Sequence, residues 1–330
     1  MSAHSPLRVG IVGAGLIGRK RAAALGESRL MVVADVDAKR AESLAATAGA
    51  AATTDWREAA GRDDVDAVIV ATTNDFLAPV ALAAIEAGKH VLVEKPAARS
   101  AAELAGVAEA AARSGVCVRV GFNHRFHPAL MKARRIVDAG EVGPLMYIRA
   151  RYGHGGRLGY EKEWRADPEV AGGGEMLDQG VHLVDLARWF LGDFVDVAGH
   201  VGTFFWNMRV EDNGFAILRT ADGRTAMLHA SCTEWKNLFS FEIFGRDGKL
   251  QIDGLGGSYG VESLTFYKML PQMGPPETTR WEWPFEDRSW RLEWDYFAGC
   301  VAAGHKPEAG PEDALAALRV VERLYDLSRR

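Results

Sequence analysis

The chain has 330 residues, too many for one compact core of ordinary size, so two domains are expected. Hydrophobic residues make up 48% and charged residues 25%, the balance of a globular protein in water, and no apolar run approaches the length of a membrane span. A formal net charge of -5 without any dense basic run excludes a nucleic-acid partner of the ordinary kind. The opening "MSAHSPLRVGIVGAG" runs directly into a strand with no apolar signal core, and the scattered cysteines Cys117, Cys232 and Cys300 suit a reducing compartment; a cytoplasmic protein is the expectation.

The first third alternates two textures. "LRVGIV", "RLMVVAD", "VDAVIVAT", "HVLVEK" and "VCVRVGF" are short apolar runs of the kind found in strands covered on both faces of a parallel sheet. Alanine-rich helical segments lie between them: one after Leu16, one around Ala38 to Ala48, one from about Pro79 to Ala87 stopped by Gly88, and one opened by a Ser100–Glu103 capping box. Strand and helix repeating in this way predict a doubly wound α/β domain of the Rossmann type over residues 1–122.

At its first strand-to-helix turn stands "GAGLIG", residues Gly13, Ala14, Gly15, Leu16, Ile17 and Gly18. Glycines at this spacing permit the tight turn, the approach of backbone to a pyrophosphate, and close packing of helix on strand. The pattern also occurs in purely structural turns. Here it follows a strand, opens a helix, and precedes a second strand ending in Asp35, placed where a carboxylate accepts hydrogen bonds from an adenosine ribose. Dinucleotide binding is therefore expected. A carboxylate opposes a 2′-phosphate, which favours NAD over NADP; Lys39 and Arg40 follow closely enough to reach a phosphate but also read as a solvated helix face.

Residues 123–330 read differently. "LMYIRARYGH", "GFAILRT", "TAMLHASC", "FSFEIFG" and "KLQIDG" are strand-like, with "TADGRT" and "GRDGK" joining successive pairs as hairpin turns. A mostly antiparallel sheet is expected, with helices from about Met176 to Phe190 and about Glu312 to Leu327. Eight of nine tryptophans lie beyond residue 150, Trp56 being the exception; large aromatics stack on sugar rings but more often pack cores and interfaces.

Chemistry concentrates in two stretches. "HVLVEKP" ends a strand with Glu94, Lys95 and Pro96, and ligands of open parallel sheets bind beyond such carboxyl ends; a lysine there is also commonly just solvated. In "AGGGEMLDQGVHLVDLARWFLG", Asp178 and His182 share a helix face, with Asp185 close to the same line. That pair reads as an intrahelical contact, as part of a metal site lacking an obvious further ligand, or as acid–base machinery, and no metal is expected. The preceding Gly172 to Gly174 fit a helix start brought tight against a bound nicotinamide.

In their order, "GIVGAGLIG", "GKHVLVEKP" and "EWRADPEVAGGGEMLDQGVHLVDLARWFLG" resemble the glucose–fructose oxidoreductase / inositol dehydrogenase / rhizopine-catabolism (Gfo/Idh/MocA) family over essentially the whole chain. The resemblance implies a Rossmann domain, a C-terminal α+β domain with an open, mostly antiparallel sheet that also makes a homodimer or homotetramer, and hydride transfer between NAD(P) and a carbinol or carbonyl carbon of a sugar, sugar derivative or cyclitol. It implies catalytic roles for Lys95, Asp178 and His182, and places Trp164 and Arg165 near cofactor or substrate. Cofactor contacts are expected from the glycine turn, Asp35, Arg40, Thr72, Thr73, Asn74, Glu94, Lys95 and Asn123. Where the family often reads Thr-Pro-Asn-x-x-His, this chain has Thr72, Thr73, Asn74, Asp75, Phe76 and Leu77, so the contacts of that proline and histidine do not carry over.

Histidine titrates near neutrality, so His182 suits proton acceptance from an alcohol, with Lys95 stabilising the developing alkoxide and Asp178 either orienting the imidazole or binding a second hydroxyl. Arg125, Tyr152, His154, Tyr160, Lys162, Arg165 and Trp235 are candidates to line a pocket for a polyhydroxylated substrate. A cluster of Arg125, Arg157, Lys162 and Arg165 suits a phosphate or carboxylate instead, as on a nucleotide sugar or uronate. An NAD-dependent glycosidase working through transient oxidation and a regulatory module without catalysis are the competing classes.

Overall fold

A computed structural model of the protein describes residues 6–329, which divide into two compact units. The first comprises the chain up to residue 122 together with 169–172 and 290–315; the second comprises 123–168, 173–289 and the chain from 316 onward.

In the first unit the chain runs β1 (Arg8–Val12), α1 (Leu16–Ala23), β2 (Arg29–Ala34), α2 (Ala38–Ala46), β3 (Ala51–Thr53), α3 (Trp56–Gly61), β4 (Ala67–Val70), α4 (Asn74–Glu86), β5 (His90–Glu94), α5 (Ala101–Arg113) and β6 (Val118–Gly121). The six strands are all parallel in the order β3-β2-β1-β4-β5-β6, so the order reverses between β1 and β4, the switch point at which such sheets take ligands. Every residue of β4 and β6 is buried, as expected of strands with helices on both faces. Val9, Ile11, Val33, Ile69 and Leu92 form the core with Trp294 and Phe297, which come from a C-terminal helix that carries no clear signal in the sequence.

One helix boundary differs from expectation. Helix α4 starts at Asn74, and Pro79 lies inside it, exposed on its surface. The short edge strand β3 and helix α3, rich in alanine and charge, carry no strand or helix signal strong enough to read. At α5, Ser100 Oγ accepts from the Glu103 N–H, whereas Glu103 Oε2 accepts from the Arg99 N–H, one residue before the cap.

The second unit begins with a single 3₁₀ turn at Asn123–Phe126 and α6 (Pro128–Asp138), followed by β7 (Leu145–Gly153). After α7 (Pro168–Ala171), most of which belongs to the first unit, a π-helical turn Met176–Gly180 runs into α8 (Val181–Leu191). Strands β8 (Phe194–Gly202), β9 (Asn213–Thr220), β10 (Thr225–Ser231), β11 (Leu238–Gly245), β12 (Gly248–Asp253), β13 (Glu262–Lys268) and β14 (Glu277–Trp283) complete an eight-stranded sheet, order β14-β13-β12-β11-β7-β10-β9-β8. All its pairings are antiparallel except β7 with β10. Both expected hairpins, β9–β10 and β11–β12, are present. Alternate residues of β9 are buried and exposed, so one face packs against the π-turn while the other carries Phe215 and Ile217 outward. Three strands are not legible in the sequence. Glycine, aspartate and charge interrupt β8 and β14, and in β13 Glu262, Ser263 and Thr265 occupy buried positions. Helices α9 (Ser289–Ala303) and α10 (Pro311–Ser328) close the chain. Among the described residues, no helix is long and apolar enough to cross a membrane.

Candidate active site

The glycine turn after β1 gives each glycine a different reason to lack a side chain. Gly13 has φ +100, and a Cβ there would lie 2.3 Å from the Ala71 carbonyl oxygen. A Cβ on Gly18 would lie 1.8 Å from the Gly13 carbonyl oxygen, so α1 cannot sit this close to the turn with any other residue. Around Gly15 there is open space: among the described residues, no atom comes within 4 Å of where its Cβ would stand. Gly15 is also the N-cap of α1 and supplies no side-chain cap to the N–H groups of its first turn. Open backbone at a helix N-terminus, at the sheet's switch point, fits a dinucleotide pyrophosphate.

Asp35 directly follows β2, within reach of this turn: its Oδ2 accepts from the Ala14 N–H at 2.7 Å and its Oδ1 from the Asp37 N–H at 2.9 Å. The carboxylate is half-buried and fixed in orientation by two backbone donors. Arg40 is exposed beside Asp37, its Nε 3.3 Å from that carboxylate, as a solvated helix start would have it. Leu16 is 72% exposed at the mouth of the turn, unusual for a leucine opening a core helix. Thr72 and Thr73 stand half-buried at the end of β4, and Thr73 Oγ1 donates to Asp75. Asn74, buried, donates through Nδ2 to the Ala171 carbonyl oxygen at 2.8 Å, so its amide serves the fold.

Glu94 departs from the cofactor contact expected of it. Its carboxylate is buried and accepts from Arg21 Nε at 2.6 Å. Arg21 Nη1 reaches Glu293 at 2.7 Å, and Arg119 Nε reaches the same Glu293 at 3.1 Å, forming a four-membered ionic network. Burial pushes the Glu94 carboxyl above its ordinary range, with Arg21 pulling the other way. Lys95 follows, half-buried, before a cis peptide to Pro96.

In the second unit, Asp178 lies in the π-turn and His182 in the first turn of α8, buried. Wide turns of this type recur at functional sites. Arg165 Nε donates to Asp178 Oδ2 at 3.1 Å and its guanidinium lies 4.5 Å from the Trp164 ring centroid. Burial works to lower the Arg165 pKa, but Asp178, Tyr160 and Glu163 outweigh it, so the group stays firmly charged. His154 Nδ1 accepts from the Gly156 N–H at 2.9 Å, with Nε2 3.7 Å from Glu175. Burial lowers the His154 pKa and leaves it neutral. Tyr152 and Tyr259 share a hydrogen bond; burial pushes Tyr259 up to about 12 and Tyr152 well above its ordinary value, so both remain neutral donors. Tyr160 is likewise buried and protonated, packed edge-on to His154 at 5.6 Å.

Three expectations change. The glycines of the tract before Asp178 make room for protein: a Cβ would come within 2.5 Å of Arg99 at Gly172, 2.2 Å of the Tyr325 hydroxyl at Gly173 and 2.0 Å of the Glu211 carbonyl oxygen at Gly174. Arg125 is no open substrate contact, because its guanidinium is engaged bidentately, at 2.8 and 2.6 Å, by buried Asp185. The suggested cationic cluster is neutralised member by member: Arg125 by Asp185, Arg157 by Glu163 and Arg165 by Asp178, with Lys162 exposed. Asn123 donates to Ser289 Oγ at 2.8 Å and supports the 3₁₀ turn. Trp235 is 65% exposed with φ +55, and packs edge-on to Phe205.

The sequence gives no hint of Glu211. Its carboxylate accepts from the Gly174 and Met176 N–H groups and the Tyr325 hydroxyl, capping the π-turn that carries Asp178. No local signal marks it, since these partners lie 35 or more residues away.

Residues 7–122 match the oxidoreductase family with an NAD-binding Rossmann fold, and residues 130–251 match the Gfo/Idh/MocA C-terminal domain. The chain belongs to the Gfo/Idh/MocA family. As a Gfo/Idh/MocA protein it is an NAD(P)-binding oxidoreductase. It is 29% identical to the scyllo-inositol 2-dehydrogenase (NAD(+)) of Bacillus subtilis, over 95% of this chain and 92% of that one. It is 28% identical to the levoglucosan dehydrogenase of Pseudarthrobacter phenanthrenivorans, where the match spans 66% of this chain and 59% of that protein's length. The solved structure of a levoglucosan dehydrogenase in complex with NADH superposes with a TM-score of 0.89 over 98% of both chains; at 24% identity that likeness speaks for the fold.

Proposed function

We propose that this Gfo/Idh/MocA protein is an NAD-dependent dehydrogenase oxidising a carbinol carbon of a sugar, sugar derivative or cyclitol. The observation that carries the reading is the buried His182 at the junction of the π-turn and α8, four residues after an Asp178 that pairs with Arg165. The relatives named for inositol and levoglucosan oxidation support the substrate class.

When bound, the nicotinamide supplies the hydride acceptor. Backbone N–H groups around Gly15 and the start of α1 would hold the pyrophosphate, and Asp35 the adenosine ribose. A 2′-phosphate meeting the fixed Asp35 carboxylate is repelled, which favours NAD over NADP. His182 accepts the hydroxyl proton as the carbon is oxidised and returns it in the reverse direction. Lys95 donates to the same oxygen and stabilises its alkoxide character. Asp178, paired with Arg165, accepts from a neighbouring substrate hydroxyl, as neutral Tyr152, Tyr259 and His154 supply further polar contacts for a polyhydroxylated ring. The outward face of the second unit's sheet joins copies of the chain into a dimer or tetramer.

A panel of cyclitols, sugars and anhydrosugars assayed for NADH formation tests this, with NADP in parallel. Net NADH is expected, and His182→Ala should turn over about 10²–10⁴-fold more slowly with NAD affinity unchanged. Turnover of a glycoside without net NADH would move the protein to the redox-glycosidase class. A His182→Ala enzyme working at the wild-type rate removes the proposed base.

A further inference from the structure

His182 is backed by a second imidazole. His124, in the 3₁₀ turn Asn123–Phe126, stacks on it with ring centroids 3.8 Å apart and planes 29° from parallel. Both residues are buried, at 5% and 4% exposure, which makes the contact one of full ring faces without intervening water. The turn bearing His124 is bolted to the helix bearing His182: Arg125 pairs bidentately with Asp185, one helical turn beyond His182 on α8. Asn123 Oδ1 lies 3.2 Å from His124 Nδ1, and Asn123 itself is tied to Ser289.

The surroundings extend the stack. Tyr152 of β7 meets His124 and His182 at 5.1 and 6.3 Å, and Phe239 of β11 flanks His124 at 5.9 Å. His127 packs edge-on to His124 at 5.5 Å. Behind His127 stand Glu262, 2.9 Å from its Nδ1, and Asp287, 3.9 Å from its Nε2. Glu262 also accepts from the Ala129 N–H, so this end is anchored to the backbone of α6.

We propose that His124 is a positioning residue for His182, fixing the plane of its ring and coupling its titration to a second imidazole. The proposal rests on the reading of His182 as the proton acceptor. Face-to-face contact leaves an imidazole free to turn only within its own plane, and the small misplacements that it prevents are costly to catalysis. Two imidazolium rings at this distance repel strongly in a site with little water, so the pair takes up its protons in separate steps that belong to both rings.

Steady-state kinetics across pH on His124→Ala and His124→Phe test it, alongside His182→Ala. His124→Ala should lower kcat by about 10- to 100-fold with KM and NAD affinity little changed. His124→Phe, which keeps a flat ring, should restore most of that turnover. Its acid limb of kcat/KM should move to higher pH, because a phenyl face favours the adjacent imidazolium and no second cation competes. Wild-type kcat in His124→Ala, or an acid limb unmoved in His124→Phe, overturns the proposal whatever happens to thermal stability. Should His124→Ala not fold, the acid limb of His124→Phe decides alone. If His182→Ala is inactive while the His124 variants behave as wild type, this proposal fails and the base assignment survives; if His182→Ala works at the wild-type rate, both fail.

Discussion

A missing side chain has two opposite meanings in this protein. At Gly13 and Gly18 a Cβ collides with backbone 2.3 and 1.8 Å away, while at Gly15 it meets nothing within 4 Å among the described residues. Alanine should therefore separate folding from binding. Gly18→Ala is expected to destabilise or misfold the first unit, since a backbone carbonyl cannot move aside. Gly15→Ala is expected to melt like wild type yet bind NAD(H) weakly, because its methyl occupies the opening next to α1. Calorimetry of titration with NADH, paired with melting curves, checks both; Gly15→Ala binding at wild-type affinity would mean that the opening is unrelated to the cofactor. The spacing of these three glycines is legible because a strand, a helix and an acid at fixed offsets surround them. The tract Gly172 to Gly174 is not. Its glycines clear Arg99, Tyr325 and Glu211, and a sequence does not record whether the space beside a glycine is filled by a ligand or by a distant part of the same chain.

Between elements, the buried network of Arg21 on α1, Glu94 at the end of β5, Arg119 on β6 and Glu293 on α9 joins sequence-distant pieces of the first unit. Helix α9 is unreadable as part of this unit because its membership depends on Trp294 and Phe297 meeting the core of the parallel sheet, and on Glu293 meeting Arg119, 174 residues earlier in the chain. The same network explains why the glutamate of "EKP" serves the fold while the adjacent lysine remains half-buried. Two cations balance two carboxylates, so removing one charge strands another. Arg21→Met should cost about 3–5 kcal/mol at neutral pH, the usual scale for breaking a buried ion pair from one side. The deficit should depend on pH with a definite sign. Burial already raises the Glu94 carboxyl, and loss of Arg21 removes the main opposing pull. A carboxyl whose folded pKa exceeds its unfolded value binds more protons when folded, so its destabilising effect is greatest above the folded pKa and relents as pH falls towards the unfolded value. Urea unfolding of Arg21→Met and wild type at several pH values reads this out; a deficit that grows on acidification contradicts it.

On the scale of the molecule, the two units differ in what is legible. The parallel sheet announces itself through unbroken apolar runs, because both of its faces are covered. The eight-stranded sheet hides β8, β13 and β14 because only one face must be apolar, and edge strands such as β14 carry charge on both. Its outward face nevertheless keeps large side chains. Tyr147, Phe215, Ile217 and Met227 are each 42–52% exposed, with Met227 directly across from Ile217 in the β9–β10 register. Stacked pairs extend the surface: Tyr147 on Phe244, and Phe215 on His229. Arg149 and Lys249 both pair with Glu242 at 2.5 Å and add a polar patch to the same face. Large apolar side chains gathered on one face are costly to leave in water. The dimer or tetramer proposed here should therefore come apart in the double variant Ile217→Glu, Met227→Glu, which places two carboxylates side by side on the face. Because both side chains point away from the core, the variant should keep its circular dichroism and its NADH affinity while light scattering at micromolar concentration falls to the monomer mass. A wild-type monomer under the same conditions, or a variant whose mass is unchanged, would show that the aromatic face meets something other than a copy of itself.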